Sequence, residues 1–214
     1  EQFMSSVLLK ELSDVLEAAC RDHGVTIIKN EPGFALIGED GLHAVRLQDG
    51  RELPCDILGV GIGIHTELPI LERAGLGLSR GILTNEYLET NIKDVYAAGD
   101  IAEYKDLLLG RSLVMGNWMN AMMQGRDVAK TMAGERTAYT LISSYSSNFL
   151  GVEIAYVGDV SRRDADKVTV HVQTEKETIQ LFERDGRTVG AVILGDMKRR
   201  QAITNAIKDQ KLYE

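Results

Sequence analysis

The apolar residues of this chain change their period along its length, and each change marks a different kind of element. From Ser5 to His23, Val7, Leu8, Leu12, Val15, Leu16 and Ala19 recur at helical spacing, which predicts an amphipathic helix that Gly24 ends. The pattern then shortens to that of strands. Val25 to Lys29 reads as one, followed by an excursion through Phe34–Ile37, Ala44–Leu47, an Asp49-Gly50 turn and a return at Leu53. Asp56 to Ile62 reads as a buried apolar strand.

Beyond it the pattern predicts a short helix, Leu68 to Ala74, then a glycine-spaced loop from Gly75 to Gly81, then a buried strand from Val95 to Ala98. A helix follows from about Gly116 to Met132, with Asn117 available as its N-cap. From residue 138 onward the character changes. Val152–Val157, Val168–Val172, Thr178–Glu183 and Thr188–Leu194 form an antiparallel meander with turns such as Asp185-Gly186, and a helix from Lys198 to Lys208 closes the chain.

Composition narrows the function classes. The 214 residues suffice for a sizeable core, and 44% hydrophobic with 26% charged residues is ordinary globular usage. A net charge of -8 argues against a nucleic-acid footprint, which relies on an excess of Lys and Arg. Lys198-Arg199-Arg200 reads as a solvated helix face. No apolar run is long enough to cross a bilayer, and the first residues lack the pattern of a secretory signal, so a cytoplasmic protein is expected. Cys20 and Cys55 form no C-x-x-C pair and read as core thiols, Cys20 on a helix face and Cys55 at the start of a strand. The histidines have no metal-ligand spacing, and His171 reads as structural.

Candidate chemistry gathers at Thr90 to Asp100. There an apolar run ends in Gly99, which lets a ligand approach the backbone, and Asp100 projects at the carboxyl end where open α/β sheets bind ligands. Through Thr90, Ile92, Tyr96, Ala97, Gly99 and Asp100, the segment resembles the second flavin-binding motif of the FAD- and NAD(P)-dependent pyridine nucleotide-disulfide oxidoreductase superfamily. The resemblance implies that Asp100, flanked by Gly99 and Ile101, sits against the ribitol and pyrophosphate of FAD.

Two further segments extend the resemblance. Gly59-Val60-Gly61-Ile62-Gly63-Ile64-His65-Thr66-Glu67-Leu68 is similar to the segment by which the family's chain leaves the NAD(P) domain for the FAD domain. Thr66, Glu67 and Leu68 agree, while Ile64 stands for a proline and His65 for an asparagine. This implies that Gly61 and Ile62 lie near the nicotinamide. The helix from Asn117 resembles the one whose amino terminus points at the flavin O2 and N1 edge. That assigns backbone donors near Asn117 and Trp118 to the ring and close approach to Ala121; Trp118 read alone is equally a core aromatic. Met115, Met119, Met122, Met123 and Met132 read mostly as core filling.

The resemblance implies an α/β fold: a partial two-dinucleotide-binding-domain flavoprotein fold plus a C-terminal α+β domain with an antiparallel sheet. Its expected units are 1–66 (the C-terminal half of an NAD(P)-binding domain), 67–137 (the C-terminal part of an FAD-binding domain) and 138–214 (an interface or lid domain). The branch it implies is that of ferredoxin, rubredoxin and nitrite reductases and NADH oxidases, which pass electrons from NAD(P)H through FAD to a protein or small acceptor. The chain holds no G-x-G-x-x-G turn, so the expected chain is the C-terminal portion of a larger flavoprotein, inactive alone, which self-associates or pairs with the N-terminal half. A non-catalytic module of this fold and a thiol-dependent reductase with its cysteine pair upstream stay open.

Overall fold

The computed structural model describes residues 2–63 and 69–214. Ile64, His65, Thr66, Glu67 and Leu68 lie outside the described residues. The first helix, α1 (Lys10–Asp22), is shorter than its apolar stripe, because residues 3–7 form a turn instead; Leu12, Leu16, Ala19 and Cys20 are buried along it, and Leu8 is buried just before it. An antiparallel three-stranded meander follows: β1 (Phe34–Ile37), β2 (Ala44–Leu47) and β3 (Glu52–Pro54), with Phe34 opposite Leu47 and Ala44 opposite Pro54.

The middle of the chain holds α2 (Pro69–Arg73), then β4 (Ile82–Thr84) parallel to β5 (Ala102–Asp106), with β6 (Arg111–Leu113) antiparallel on the far side of β5. β4 runs tight against the chain entering β5: a Cβ at Gly81 would stand 2.4 Å from the Ile101 carbonyl oxygen, so only glycine fits there. Arg80 fastens the same point. Its backbone N–H and guanidinium donate to the buried Glu103 carboxylate at 2.9 and 3.0 Å, and the guanidinium also donates to the Ser112 carbonyl. Burial works against the charged carboxylate, and the Arg80 hydrogen bonds outweigh it, leaving Glu103 below its ordinary pKa. The long helix α3 (Trp118–Met132) then leads away.

The C-terminal part is an antiparallel sheet of β7 (Ser144–Phe149), β8 (Val152–Gly158), β9 (Lys167–Gln173), β10 (Glu177–Arg184) and β11 (Arg187–Gly195), in the order β7-β8-β11-β10-β9. β10 and β11 are buried along almost their whole length, which requires cover on both faces. The closing helix α4 (Arg200–Lys208) packs its Ile203 and Ile207 on β8 and β11, and α1 reaches β10. Leu8, Leu12 and Leu16 thereby belong to the same core as Ile179, Leu181, Phe182 and Ile193. The mixed α/β class is as the family resemblance implies, and the C-terminal antiparallel meander as the apolar pattern predicts.

Several expected elements differ. Val25–Lys29 and Asp56–Ile62 are not strands: no described segment offers them a ladder, and Ile57, Val60 and Ile62 are exposed rather than buried. An apolar run without a hydrogen-bonding neighbour has nothing to make it a strand. β7 escapes the apolar pattern because its sequence, Ser-Tyr-Ser-Ser-Asn-Phe, belongs to an exposed edge. Cys20 is a core thiol, but Cys55 follows β3 half-exposed and its thiol donates to the Ile57 carbonyl. Among the methionines, Met115 and Met123 pack on the core, whereas Met119, Met122 and Met132 are exposed. His171 lies exposed on β9 with its ring edge-on to Tyr213.

Candidate functional site

The Val95–Ala98 run is extended chain rather than a strand, and contributes a single bridge, Glu89 to Tyr96. Hydrogen bonds on all sides tie it down. Thr90 accepts from and donates to this loop, its hydroxyl reaching the Val95 carbonyl at 2.9 Å, and the Ala97 N–H donates to the Leu88 carbonyl at 3.1 Å. Ala97 is buried, and Val95 faces solvent. Pairing to such scattered partners satisfies the backbone without a ladder.

Gly99 turns the chain with φ +81°, a left-handed value that favours glycine. Its N–H donates to the side-chain oxygen of Gln124 at 2.8 Å, and its carbonyl accepts from Ala102 at 3.0 Å. Asp100 follows, exposed at the entrance to β5. Ile101 packs beside Ile82, Ala97 and Ala102, and its carbonyl accepts from the Ile82 N–H at 2.8 Å, which joins β4 to this turn.

The amino end of α3 comes to the same place. Asn117 caps the helix, its side-chain oxygen accepting from the Asn120 N–H at 2.9 Å and its amide donating to the Ser143 hydroxyl at 2.9 Å. Ala121 donates its N–H to the Asn117 carbonyl. The N–H groups of Trp118 and Met119 precede the intrahelical ladder and stand at the positive end of the helix dipole. A Cβ built on Gly116 would lie 3.6 Å from Oδ2 of Asp100, and one built on Gly99 would lie 3.5 Å from Cβ of Ala121. Gly99, Asp100, Ile101, Asn117 and Ala121 thus form one cluster, with Trp118 at its rim.

Trp118 is 74% exposed, so it is no core aromatic. Gly61 has open space around its Cβ position and Ile62 is 92% exposed, so neither is held against the Asp100 cluster. Both lie on the segment that lacks a strand neighbour.

The sequence reading missed the polar side chains beneath the cluster. Asn120 and Gln124 are fully buried. Asn120 donates to the Met115 carbonyl at 3.0 Å and accepts from the Tyr139 hydroxyl at 2.7 Å, and burial pushes that phenol's pKa up. Their signal was their spacing: Asn117, Asn120, Gln124, Val128 and Thr131 share one helical stripe, with the last four buried.

The cluster offers a solvent-facing carboxylate and two backbone donors at a positive helix end. Such a set suits a ligand that carries hydroxyls together with an electron-rich carbonyl edge, and FAD has both. Among the described residues, no group of His, Cys, Asp and Glu could hold a metal ion.

The chain is similar to known proteins along most of its length. Residues 1–125 match the family described as pyridine nucleotide-disulphide oxidoreductase, and residues 146–211 match the rubredoxin NAD+ reductase C-terminal domain. A nitrite reductase [NAD(P)H] of Bacillus subtilis (strain 168) is 25% identical over 200 residues, covering 92% of this chain and 24% of the relative. A rubredoxin-NAD(+) reductase of Acinetobacter baylyi is 43% identical over 100 residues, covering 47% of this chain and 23% of the relative. The chain therefore spans about a quarter of each. Among solved structures, the covalent putidaredoxin reductase-putidaredoxin complex matches the fold with a TM-score of 0.85 at 22% identity, over 98% of this chain and 51% of the other. The chain belongs to the pyridine nucleotide-disulphide oxidoreductase family, whose members work with FAD and NAD(P)H.

Proposed function

We propose that this chain supplies one wall of the flavin site in an oxidoreductase that passes electrons from NAD(P)H through FAD to a protein or small-molecule acceptor. The observation that carries the reading is the convergence of Asp100 and the capped end of α3, with Gly116 beside the carboxylate. Bound FAD supplies the electron transfer between nicotinamide and acceptor. Asp100 would hold FAD through hydroxyl groups of the cofactor, and the N–H groups of Trp118 and Met119 would donate to it where the helix dipole favours negative charge. Gly99 and Ala121 allow the close approach, and Ile101 holds the turn on β4.

In this reading, residues 1–66 serve the nicotinamide side, with Gly61 and Ile62 facing that cofactor. Residues 67–137 serve FAD, and residues 138–214 form the interface or lid. The exposed Ile57, Val60 and Ile62 support pairing with further residues of the same protein or with a second copy. The isolated chain is inactive on this view, and the full protein works in the cytoplasm. No described helix is long and apolar enough to cross a membrane.

The test replaces Asp100 by Ala in the full-length flavoprotein and measures flavin per protein after gel filtration. The expected result is loss of flavin; unchanged content overturns the assignment. A monodisperse monomer of this chain that takes up FAD unaided sinks the partial-site reading.

A further inference from the structure

Gln124 lies seven residues into α3, fully buried, at a position where Leu or Met would fill the same volume without a polar group to satisfy. Among the described residues its side-chain oxygen has a single use: it accepts the Gly99 N–H at 2.8 Å. Its Nε2 has no partner among the described residues. We propose that Gln124 is a positioning residue for the flavin: through Gly99 it sets the turn that presents the Asp100 carboxylate. The inference rests on the reading of Asp100 as a flavin ligand.

The geometry explains why an amide is needed there. The Gly99 N–H faces α3 and donates to Gln124, and from the peptide plane so fixed the left-handed φ of Gly99 directs the following chain to Asp100. Without an acceptor at residue 124, the Ala98–Gly99 peptide loses its N–H partner among the described residues, and the turn is left to the next peptide, whose Gly99 carbonyl accepts from the Ala102 N–H. Ala121, one turn earlier on α3, fixes how closely Gly99 approaches. Ala121 sets the distance and Gln124 the orientation.

The same stripe controls the opposite side of the cluster. Asn120 grips the Met115 carbonyl and Asn117 caps the helix, so the segment Met115–Asn117 is fixed by one pair of amides and the Gly99–Asp100 turn by a third. Asp100 and the Trp118 and Met119 donors are therefore referenced to one rigid face of α3. A preorganised site needs such an arrangement, because small displacements of the ligand-holding groups are costly.

The test measures FAD affinity in the full-length protein for Gln124→Met, Asp100→Ala and the double variant. Met keeps the volume and helix propensity and removes the acceptor. The expected result is a roughly tenfold weaker FAD dissociation constant and an altered visible circular dichroism of bound flavin. Gln124→Glu, which keeps an accepting oxygen, restores both. In the Asp100→Ala background, Gln124→Met has no further effect, because the two residues act through one contact. Unchanged affinity in Gln124→Met, or an effect that simply adds to that of Asp100→Ala, overturns the inference while leaving the flavin reading intact. Absence of any effect of Asp100→Ala overturns the flavin reading, and this inference with it. Should Gln124→Met not fold, Gln124→Asn, which withdraws the amide by one methylene, is measured against the same outcomes.

Discussion

Gln180 holds Leu9 across 171 residues of chain: the Leu9 N–H donates to its side-chain oxygen at 2.6 Å, and its amide donates to the Val7 carbonyl at 2.7 Å. The carboxamide completes a backbone pair much as a strand would, but on the turn before α1. Arg162 donates to the Ser5 and Leu8 carbonyls nearby, so side chains of the C-terminal part satisfy four backbone groups of the turn. Gln180→Leu leaves two backbone groups without partners and should cost roughly 2–3 kcal/mol, read by chemical denaturation. A loss below about 0.5 kcal/mol would show that water replaces the amide.

Gly190 passes against the backbone of Asp159, where an added Cβ would stand 2.0 Å from the carbonyl oxygen. The obstacle is main chain in the pairing of β8 with β11, and it cannot swing aside. Gly190→Ala should destabilise by about 3 kcal/mol or more, or fail to accumulate as folded protein. Gly186→Ala is the contrast for steric cost, since nothing lies near its Cβ position, although its φ of +71° carries its own penalty.

Arg136 donates to Glu89 through Nε and Nη2, each at 2.8 Å, and its guanidinium lies 3.7 Å over the Tyr87 ring. With the Asn85 amide, these bonds hold the Glu89 carboxyl at a pKa of about 2, against an ordinary 4.5. The folded value is the lower one. The contribution is therefore complete above pH 4.5 and is lost as the pH falls toward 2. Urea midpoints across this range should fall more gently in Glu89→Gln than in the parent protein; parallel curves would assign the acid loss elsewhere.

Asp106 has the opposite character. Burial raises its carboxyl pKa above the ordinary 3.8, although the Leu108 and Leu109 N–H groups donate to it and pull the other way. A raised folded value means that the charged form is penalised as the pH rises past 3.8. Asp106→Asn keeps the acceptor and removes the charge, so at neutral pH it should be neutral or stabilising. Asp106→Ala orphans both N–H groups and should cost roughly 2 kcal/mol. Thermal melts of the two variants side by side decide the matter: equal losses would mean that the charge itself is needed, through Arg184.

The sequence carried the periodic elements best. The stripe Leu8, Leu12, Leu16 predicts α1 and its buried face, but what that face meets depends on residues 170 positions away, which no local pattern encodes. Asn117 announces the start of α3 because a cap is local chemistry. The Val95–Ala98 and Asp56–Ile62 runs read as strands because they are apolar, but pairing belongs to a neighbour that the local sequence does not contain. Within the candidate site, Gly99 and Asp100 were legible as a motif. Asn120 and Gln124 were not, since a polar side chain on a helix reads as solvent-facing until the far end of its hydrogen bond is known.

The shared core of α1 and the C-terminal sheet also sets an order of events. The helix is synthesised first, yet β10 follows some 170 residues later, a delay of roughly 10–30 s at ordinary translation rates. Throughout that interval Leu8, Leu12 and Leu16 lack their final surroundings, and closing so long a loop makes their docking a late step of folding. Helix α1 leaves the ribosome long before the strand that completes its cover.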